Sequence, residues 1–242
     1  MRTVAVIQAR MGSTRLPGKS LALIAGRPLV LWTVRAVARI AGLAELVVAV
    51  PDDRADDELV DLLRTDGQRV HRGPLLDVLT RCWEAVAPLA PEIVLRQTAD
   101  NPFADPAVMT GQAEQLAAGD LDYVGTAGWP LGIAGEAARA GALETAYLEA
   151  RDPAEREHVM PFLYARPERF RIGSLVPTTP PPRGRFTVDT AADLAFVRAI
   201  AERAGPATTV SIADLGQILE AEPALLELNG TVRQKDWQEA QS

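Results

Sequence analysis

The chain has 242 residues, 48% hydrophobic and 24% charged, with a formal net charge of -7. That composition suits one globular domain with a sizeable core. The acidic balance argues against a non-specific nucleic-acid binder, which needs a basic face, and an acidic protein that handles a small polyanion usually requires a metal ion.

In chain order, Val4 to Gln8 predicts a short buried strand, Pro28 to Ala41 a helix with proline at an early position, and Leu46 to Val50 a second strand. Asp53 to Thr65 reads as a polar-faced helix, Leu75 to Ala87 as another, and Ile93 to Gln97 as a third strand rich in β-branched and apolar residues. Such alternation implies an α/β fold with a Rossmann-like, mostly parallel sheet and helices on both faces. The run Pro177 to Pro182 reads as a stiff connector inside the domain, and Ile212 to Leu219 and Pro223 to Leu228 as one or two closing helices. Cys82, the single cysteine, allows no internal disulfide and is expected to be a small buried hydrophobe. No 18-residue apolar stretch occurs, and Val4 to Ile7 is too short for a signal-peptide core, so a cytoplasmic chain with no membrane contact is expected.

Ligands of open α/β sheets bind beyond the carboxyl ends of the strands. Three polar clusters stand there, Arg10 to Lys19 after the first strand, Asp52 and Asp53 after the second, and Thr98 to Asp105 after the third, of which the first and third are the better candidates. The first, QARMGSTRLPGKS from Gln8 to Ser20, ends like an ATPase phosphate loop. It is not one, because five residues separate Gly12 from Gly18, Pro17 stands in place of the second glycine, and no helix starts before Pro28. It remains a glycine-bearing loop with three cations, Arg10, Arg15 and Lys19, and hydroxyls at Ser13, Thr14 and Ser20. Backbone N–H groups freed by Gly12 and Gly18 would join those cations in a polyphosphate site.

This loop resembles the signature of the cytidylyltransferases that activate sugar acids, most closely the spore-coat-polysaccharide branch. Acylneuraminate and 3-deoxy-manno-octulosonate cytidylyltransferases are more distant relatives. The likeness continues in order through Arg72-Gly73, Asp77 to Arg81, Arg96 to Pro102, Asp122 to Val124, Glu157 to Val159, and Phe186 to Asp189 with Asp193-Leu194, spanning about residues 3 to 200.

The resemblance implies transfer of CMP from CTP to a small anionic acceptor, a sugar acid or similar, with release of pyrophosphate. Arg10, Arg15 and Lys19 would hold the phosphates, and Asp100 and Asp189 match the family's Mg²⁺-binding aspartates. Ala9 and Arg10 would read the base through backbone groups, Gln97 would lie near the ribose or base, and Glu136, Glu157 and His158 would lie near the acceptor. A homodimer formed through a small arm at about 122 to 180 is also implied. Plainer roles stand beside these: Asp100 as a turn residue, Asp189 as a helix N-cap, Asp77 and Arg81 as a surface i,i+4 pair, and His71 as an exposed side chain. Two other readings compete: a nucleotidyltransferase for another triphosphate or a sugar phosphate, and a non-catalytic nucleotide-binding module. The pair of aspartates counts against the module.

The acceptor half departs from the family pattern. Ala134 stands where relatives carry aspartate and Ala138 where an aromatic residue is expected, so a smaller, less polar acceptor wall is anticipated.

Overall fold

The computed structural model describes residues 1–205 and 209–234. β1 (Thr3–Gln8) is followed by the polar loop and then by a small antiparallel hairpin, β2 (Leu23–Ile24) and β3 (Arg27–Pro28). Helix α1 (Leu29–Val37) leads to β4 (Leu43–Pro51), α2 (Asp57–Thr65) and β5 (Arg69–Gly73). α3 (Val78–Val86), β6 (Ile93–Thr98) and α4 (Pro106–Ala118) come next. The chain then forms β7 (Tyr123–Thr126), β8 (Glu136–Arg139), α5 (Ala140–Glu149), α6 (Pro153–His158), α7 (Pro161–Tyr164) and β9 (Ile172–Leu175). α8 (Ala191–Ala204) and α9 (Ile212–Ala221) follow, and a 3-10 turn covers Pro223–Leu228.

The main sheet has seven strands in the order β5-β4-β1-β6-β8-β7-β9, and β8 alone runs against its neighbours. Parallel strands buried on both faces require apolar side chains of either parity. β1 meets this demand: Ala5 and Ile7 join the core beneath α1, α2 and α4, while Val4 and Val6 join the core beneath α3, α5 and α7. A third core gathers Trp32, Phe103, Phe186 and Phe196 with α8 and α9. Cys82 is fully buried among the second group, as expected of a small hydrophobe. Among the described residues no helix is long and apolar enough to cross a membrane.

Residues 122 to 180, where the sequence places an arm, contribute β7, β8 and β9 to the main sheet, and α5 packs against β8 and α7. The alanines and short strands in this stretch carry too little periodic signal for the sequence to reveal them as sheet.

Candidate active site

β1 and β6 are adjacent and parallel, with Gln8 opposite Thr98, although two other strands of the main sheet, β4 and β5, lie between them in sequence. The chain runs outward from β1 to β5 and then returns to β1's other side, so a switch point opens between the carboxyl ends of β1 and β6. A cleft of about 230 Å³ lies there, lined by the loop after β1, the turn after β6, the first half of α3, the end of α6, and Asp189.

At the cleft's β6 side, Lys19 Nζ donates to Asp100 Oδ2 at 2.8 Å, Asp189 Oδ1 at 2.9 Å and the Val188 carbonyl at 2.7 Å. Asp189 Oδ2 also meets Arg15 at 3.1 Å and Arg185 at 2.5 Å. Two carboxylates thus converge on one cation. Burial alone would lower the Lys19 pKa, but Asp100 and Asp189 outweigh it and hold the ammonium above its ordinary value. Burial likewise pushes Asp189 up, yet Lys19, Arg15 and Arg185 hold its carboxyl below the usual range.

Local chemistry explains how the sequence delivers these groups. Gly18 adopts φ +71° immediately before the 3-10 turn Lys19–Leu21, a conformation that side chains with a Cβ resist. Ser20 Oγ donates to the Arg10 carbonyl at 2.8 Å, and Asp56 accepts from Met11 N–H at 2.6 Å, pinning both ends of the loop. Asp189 is not the cap of α8. Thr190 is, in a reciprocal capping box with Asp193, which leaves the Asp189 carboxylate to the cleft. Nor does Asp189 follow a sheet strand. Phe186 to Val188 is extended chain anchored by Phe186 N–H to the Leu131 carbonyl and Val188 N–H to the Asp100 carbonyl, both at 2.8 Å.

Of the residues singled out in the sequence, Ala9, Arg10, Ser13, Arg15, Lys19, Asp100, Glu157, His158 and Asp189 all line this cleft. Gly12 does not, and the Gly18 N–H is spent on the Met11 carbonyl at 3.2 Å, so it is not a free phosphate donor. Gln97 is 2% exposed and lies on the α4 face, where its side chain meets Asn101 and Met109. Side chains alternate along a strand, so its neighbour Arg96 and the paired Gln8 point to the cleft face instead. Gln8 Oε1 accepts from Arg96 Nε at 3.0 Å and Nη2 at 2.8 Å. Gln8 lines this cleft, and Gln97 lines a second cavity beside it together with Arg96.

Three further expectations, on Asp77 with Arg81, on His71 and on Ala138, are corrected, while Glu136 is placed beside the cleft. Asp77 and Arg81 are not a surface pair: Asp77 caps α3 and pairs with Arg156 at 2.6 Å, while Arg81 is buried. His71 is half-buried, not exposed, and burial lowers its pKa. Glu136 lies outside the cleft in an adjoining cavity of about 280 Å³, with Arg96, Tyr123 and Ala134. There it accepts from Arg96 Nη1 at 2.5 Å and from the Tyr123 hydroxyl at 2.7 Å. Ala134 does line that cavity, whereas Ala138 is fully buried in the core beneath α5 and lines neither of the two cavities. The two cavities share Thr98 and meet at the Gln8–Arg96 pair.

The cytidylyltransferase family profile matches residues 4–200. The chain belongs to the cytidylyltransferase family. This cytidylyltransferase is 32% identical to the spore coat polysaccharide biosynthesis protein SpsF of Bacillus subtilis over 225 residues, covering 90% of this chain and 94% of that one. Its fold matches a cytidylyltransferase structure from Leptospira borgpetersenii with TM-score 0.88 at 23% identity, over 97% of this chain and 100% of the other. It also matches CMP:2-keto-3-deoxy-manno-octonic acid synthetase, solved with CTP, with TM-score 0.68 at 19% identity over 84% and 100%.

The bracing behind the cytidylyltransferase's Asp189 draws on Asn229, which lies beyond residue 200, where the family profile ends. Arg185 Nε donates to Asp193 at 3.0 Å, and the buried Asn229 Nδ2 donates to the Arg185 carbonyl at 2.9 Å and to Asp193 Oδ1 at 3.1 Å. Asn229→Ala is expected to cost about 1–3 kcal/mol, since it leaves buried acceptors unmet. Chemical denaturation checks this, and a change below about 0.3 kcal/mol would refute the bracing role.

His158, in the last turn of α6, lies in the cleft wall with its pKa below the ordinary 6.5 because burial disfavours the imidazolium. The unfolded chain therefore takes up this proton first as the pH falls. The stability the neutral ring contributes is complete above about pH 6.5 and declines as pH drops from there toward the folded-state value. An NMR titration should place the His158 midpoint below 6.5; a midpoint above it would reverse the sign.

Proposed function

We propose that this cytidylyltransferase transfers CMP from CTP to a small anionic acceptor, a sugar acid or similar, and releases pyrophosphate. The observation that carries the reading is the pairing of cavities. A cation-lined cleft with two converging carboxylates adjoins a second cavity whose one arginine, Arg96, is balanced by Glu136.

In this reading Arg10, Arg15 and Lys19 bind the triphosphate, and an acceptor oxygen in the second cavity attacks the α-phosphorus. The new P–O bond forms as the α–β bridging bond breaks, its electrons leave with pyrophosphate, and the proton of an attacking hydroxyl is released to water. Such a transfer depends on positioning and charge neutralisation more than on a protein nucleophile. Gln8 and Arg96 at the junction orient the acceptor toward the phosphorus, and Lys19 offsets charge on the departing group.

Asp100 and Asp189 suit a divalent cation, because their carboxylates already converge on a single positive centre. Among the described residues no third acidic, histidine or cysteine side chain joins them. Mg²⁺ accepts such a set, taking one or two carboxylates and completing its shell with phosphate oxygens and water. When bound it would supply charge neutralisation at the phosphates.

Pyrophosphate release measured with each nucleoside triphosphate against a panel of sugar acids and other small anions tests the proposal. Turnover is expected with CTP, Mg²⁺ and one acceptor class. Binding of CTP without turnover on any anionic acceptor would refute the transferase reading. Ala134→Asp should change acceptor preference with CTP affinity unaltered, because only the second cavity contains this residue. The same reading includes a cytoplasmic homodimer built on residues 122 to 180, where the edge strand β9 and exposed Leu148, Ile172 and Val176 offer an apolar face. Light scattering of the purified chain checks the dimer.

A further inference from the structure

Arg156, inside the short helix α6, ties that helix to α3 and to the end of α5. Its Nε donates to Asp77 Oδ2 at 2.7 Å and its Nη2 to Thr80 Oγ1 at 2.6 Å, both at the start of α3. Its Nη1 donates to the carbonyls of Tyr147 in α5 and of Ala150 just after it, each at 3.1 Å. Asp77 in turn caps α3, accepting from the Thr80 N–H at 3.0 Å and from its hydroxyl at 2.8 Å. A planar fork held in several directions at once fixes the helix that carries it, which a single point charge would not.

The same helix ends in strain. Val159, immediately after α6, adopts φ +75° and ψ −57°, and the Met160 N–H donates to the His158 carbonyl at 2.9 Å. This is the positive-φ form of the γ-turn, rare and strained, and least suited to a β-branched residue. Glycine would accept the conformation, but Val159 and Met160 are both fully buried, in the core they share with Val78 and Leu79 of α3. Strain of this kind persists only where the surroundings over-determine it, and it gathers at functional sites. Here the fork of Arg156 holds one side and the core holds the other. Glu157 and His158 stand between the two holds, and both line the cleft.

The place His158 reaches is the junction of the two cavities. The charged groups that act on its ring are Glu157 beside it, Arg10 from the loop after β1, Arg96 of β6 and Glu136 of β8. Arg10 lines the cleft, whereas Arg96 and Glu136 line the second cavity. We propose that Arg156 is a positioning residue for the transfer step and acts through His158: with the strained turn at Val159, it fixes the ring where the acceptor oxygen meets the α-phosphorus. The inference rests on the two-cavity reading of the site. Arg15, Lys19, Asp100 and Asp189 stand on other segments, so the clamp governs rate more than nucleotide affinity. A misplacement of about 1 Å near a reacting centre costs about 10²-fold in rate.

The test compares the full chain with Arg156→Met and Arg156→Lys, using melting curves to verify folding. Kinetics are measured with CTP, Mg²⁺ and the panel of small acids, 3-deoxy-manno-octulosonate and acylneuraminate included, and imidazole NMR supplies a second readout. The chain has two histidines, so the two ring signals can be told apart. In Arg156→Met kcat should fall about 10- to 100-fold while KM for CTP changes less than about threefold. The His158 ring signal should shift and broaden, while that of His71, on β5, stays in place. Arg156→Lys, which keeps the charge facing Asp77 without the fork, should lose part of the rate. Wild-type kcat in a folded variant overturns the proposal. A KM for CTP that rises in step with the fall in kcat, or equal disturbance of both ring signals, also overturns it, since either marks a general loosening around α3. Thr80→Val keeps the side chain's shape and removes one contact of Arg156, which guards against arginine variants that do not fold. It should lower kcat and move the His158 signal in the same direction by less, and no change in either overturns the proposal. Wild type that turns over no acceptor would overturn the two-cavity reading together with the proposal, a result distinct from wild-type turnover that the Arg156 variants match.

Discussion

Asp100→Asn and Asp189→Asn are each expected to lower turnover by about 10²–10³-fold, the scale of losing one preorganised charge contact at a reacting centre. Each change keeps the side chain's shape and removes the charge that would face the metal and the phosphates. The folds should persist, with unequal costs. Asp100 retains its place through Thr98 Oγ1, which donates to Asp100 Oδ1 at 2.5 Å. Asp189 answers three cations, Lys19, Arg15 and Arg185, so its neutralisation should destabilise more. The pH dependence follows the same logic. The depressed carboxyl of Asp189 contributes stability that is complete above about pH 3.9 and is lost as the pH falls through its lower folded-state value. Pyrophosphate release and thermal melting check both variants, and wild-type turnover in either would remove that residue from the metal role.

Lys19→Ala is expected to reduce kcat/KM by about 10²–10³-fold and also to lower the melting temperature without ligand. The double effect arises because Lys19 joins two parts of the chain that no strand connects. Its ammonium ties the loop after β1 to Asp100 and to the Val188–Asp189 segment. Removing one partner of a largely buried ion cluster leaves charge uncompensated, at a cost of up to about 3–5 kcal/mol. Lys19 is 13% exposed at its side chain and Asp189 keeps two arginines, which places the expected loss at the lower end. Divalent cation should restore part of the melting temperature, since it meets the same two carboxylates. Ser20→Ala should affect catalysis far less, because its hydroxyl is occupied with the Arg10 carbonyl and does not reach for a ligand. A loss of kcat/KM for Ser20→Ala equal to that for Lys19→Ala would revive a phosphate-loop role for the hydroxyl.

Within the first hundred residues the amino-acid sequence by itself determined β1, β4 and β6 and the helices α1, α2 and α3, though not β5 or the β2–β3 hairpin, because buried parallel strands need apolar runs and their covering helices need a 3.6-residue stripe. It also determined that the loop from Arg10 to Lys19 and the turn at Asp100 lie at strand ends, and that the loop is not a Walker loop, since these follow from spacing along one chain. Periodicity did not reveal β7, β8 and β9: four-residue strands interrupted by glycine, alanine and serine lack a pattern strong enough to stand out. Side-chain direction was equally out of reach without registers, which is why Gln8 was not singled out as a cleft residue and why Ala138 seemed part of an acceptor wall.

Only the tertiary structure brought Asp189 to Asp100. The two lie far apart in sequence, and Asp189 follows no sheet strand. Its position depends on backbone hydrogen bonds from Phe186 and Val188 and on Arg185, which Asn229 braces in turn. Burial likewise changed the meaning of Arg81. Four residues after Asp77 it reads as half of a surface pair, and it becomes a cleft residue because Gly73 has no Cβ to hold α3 off the sheet. Local spacing fixes which groups a segment offers, whereas close approach between distant segments fixes which groups meet.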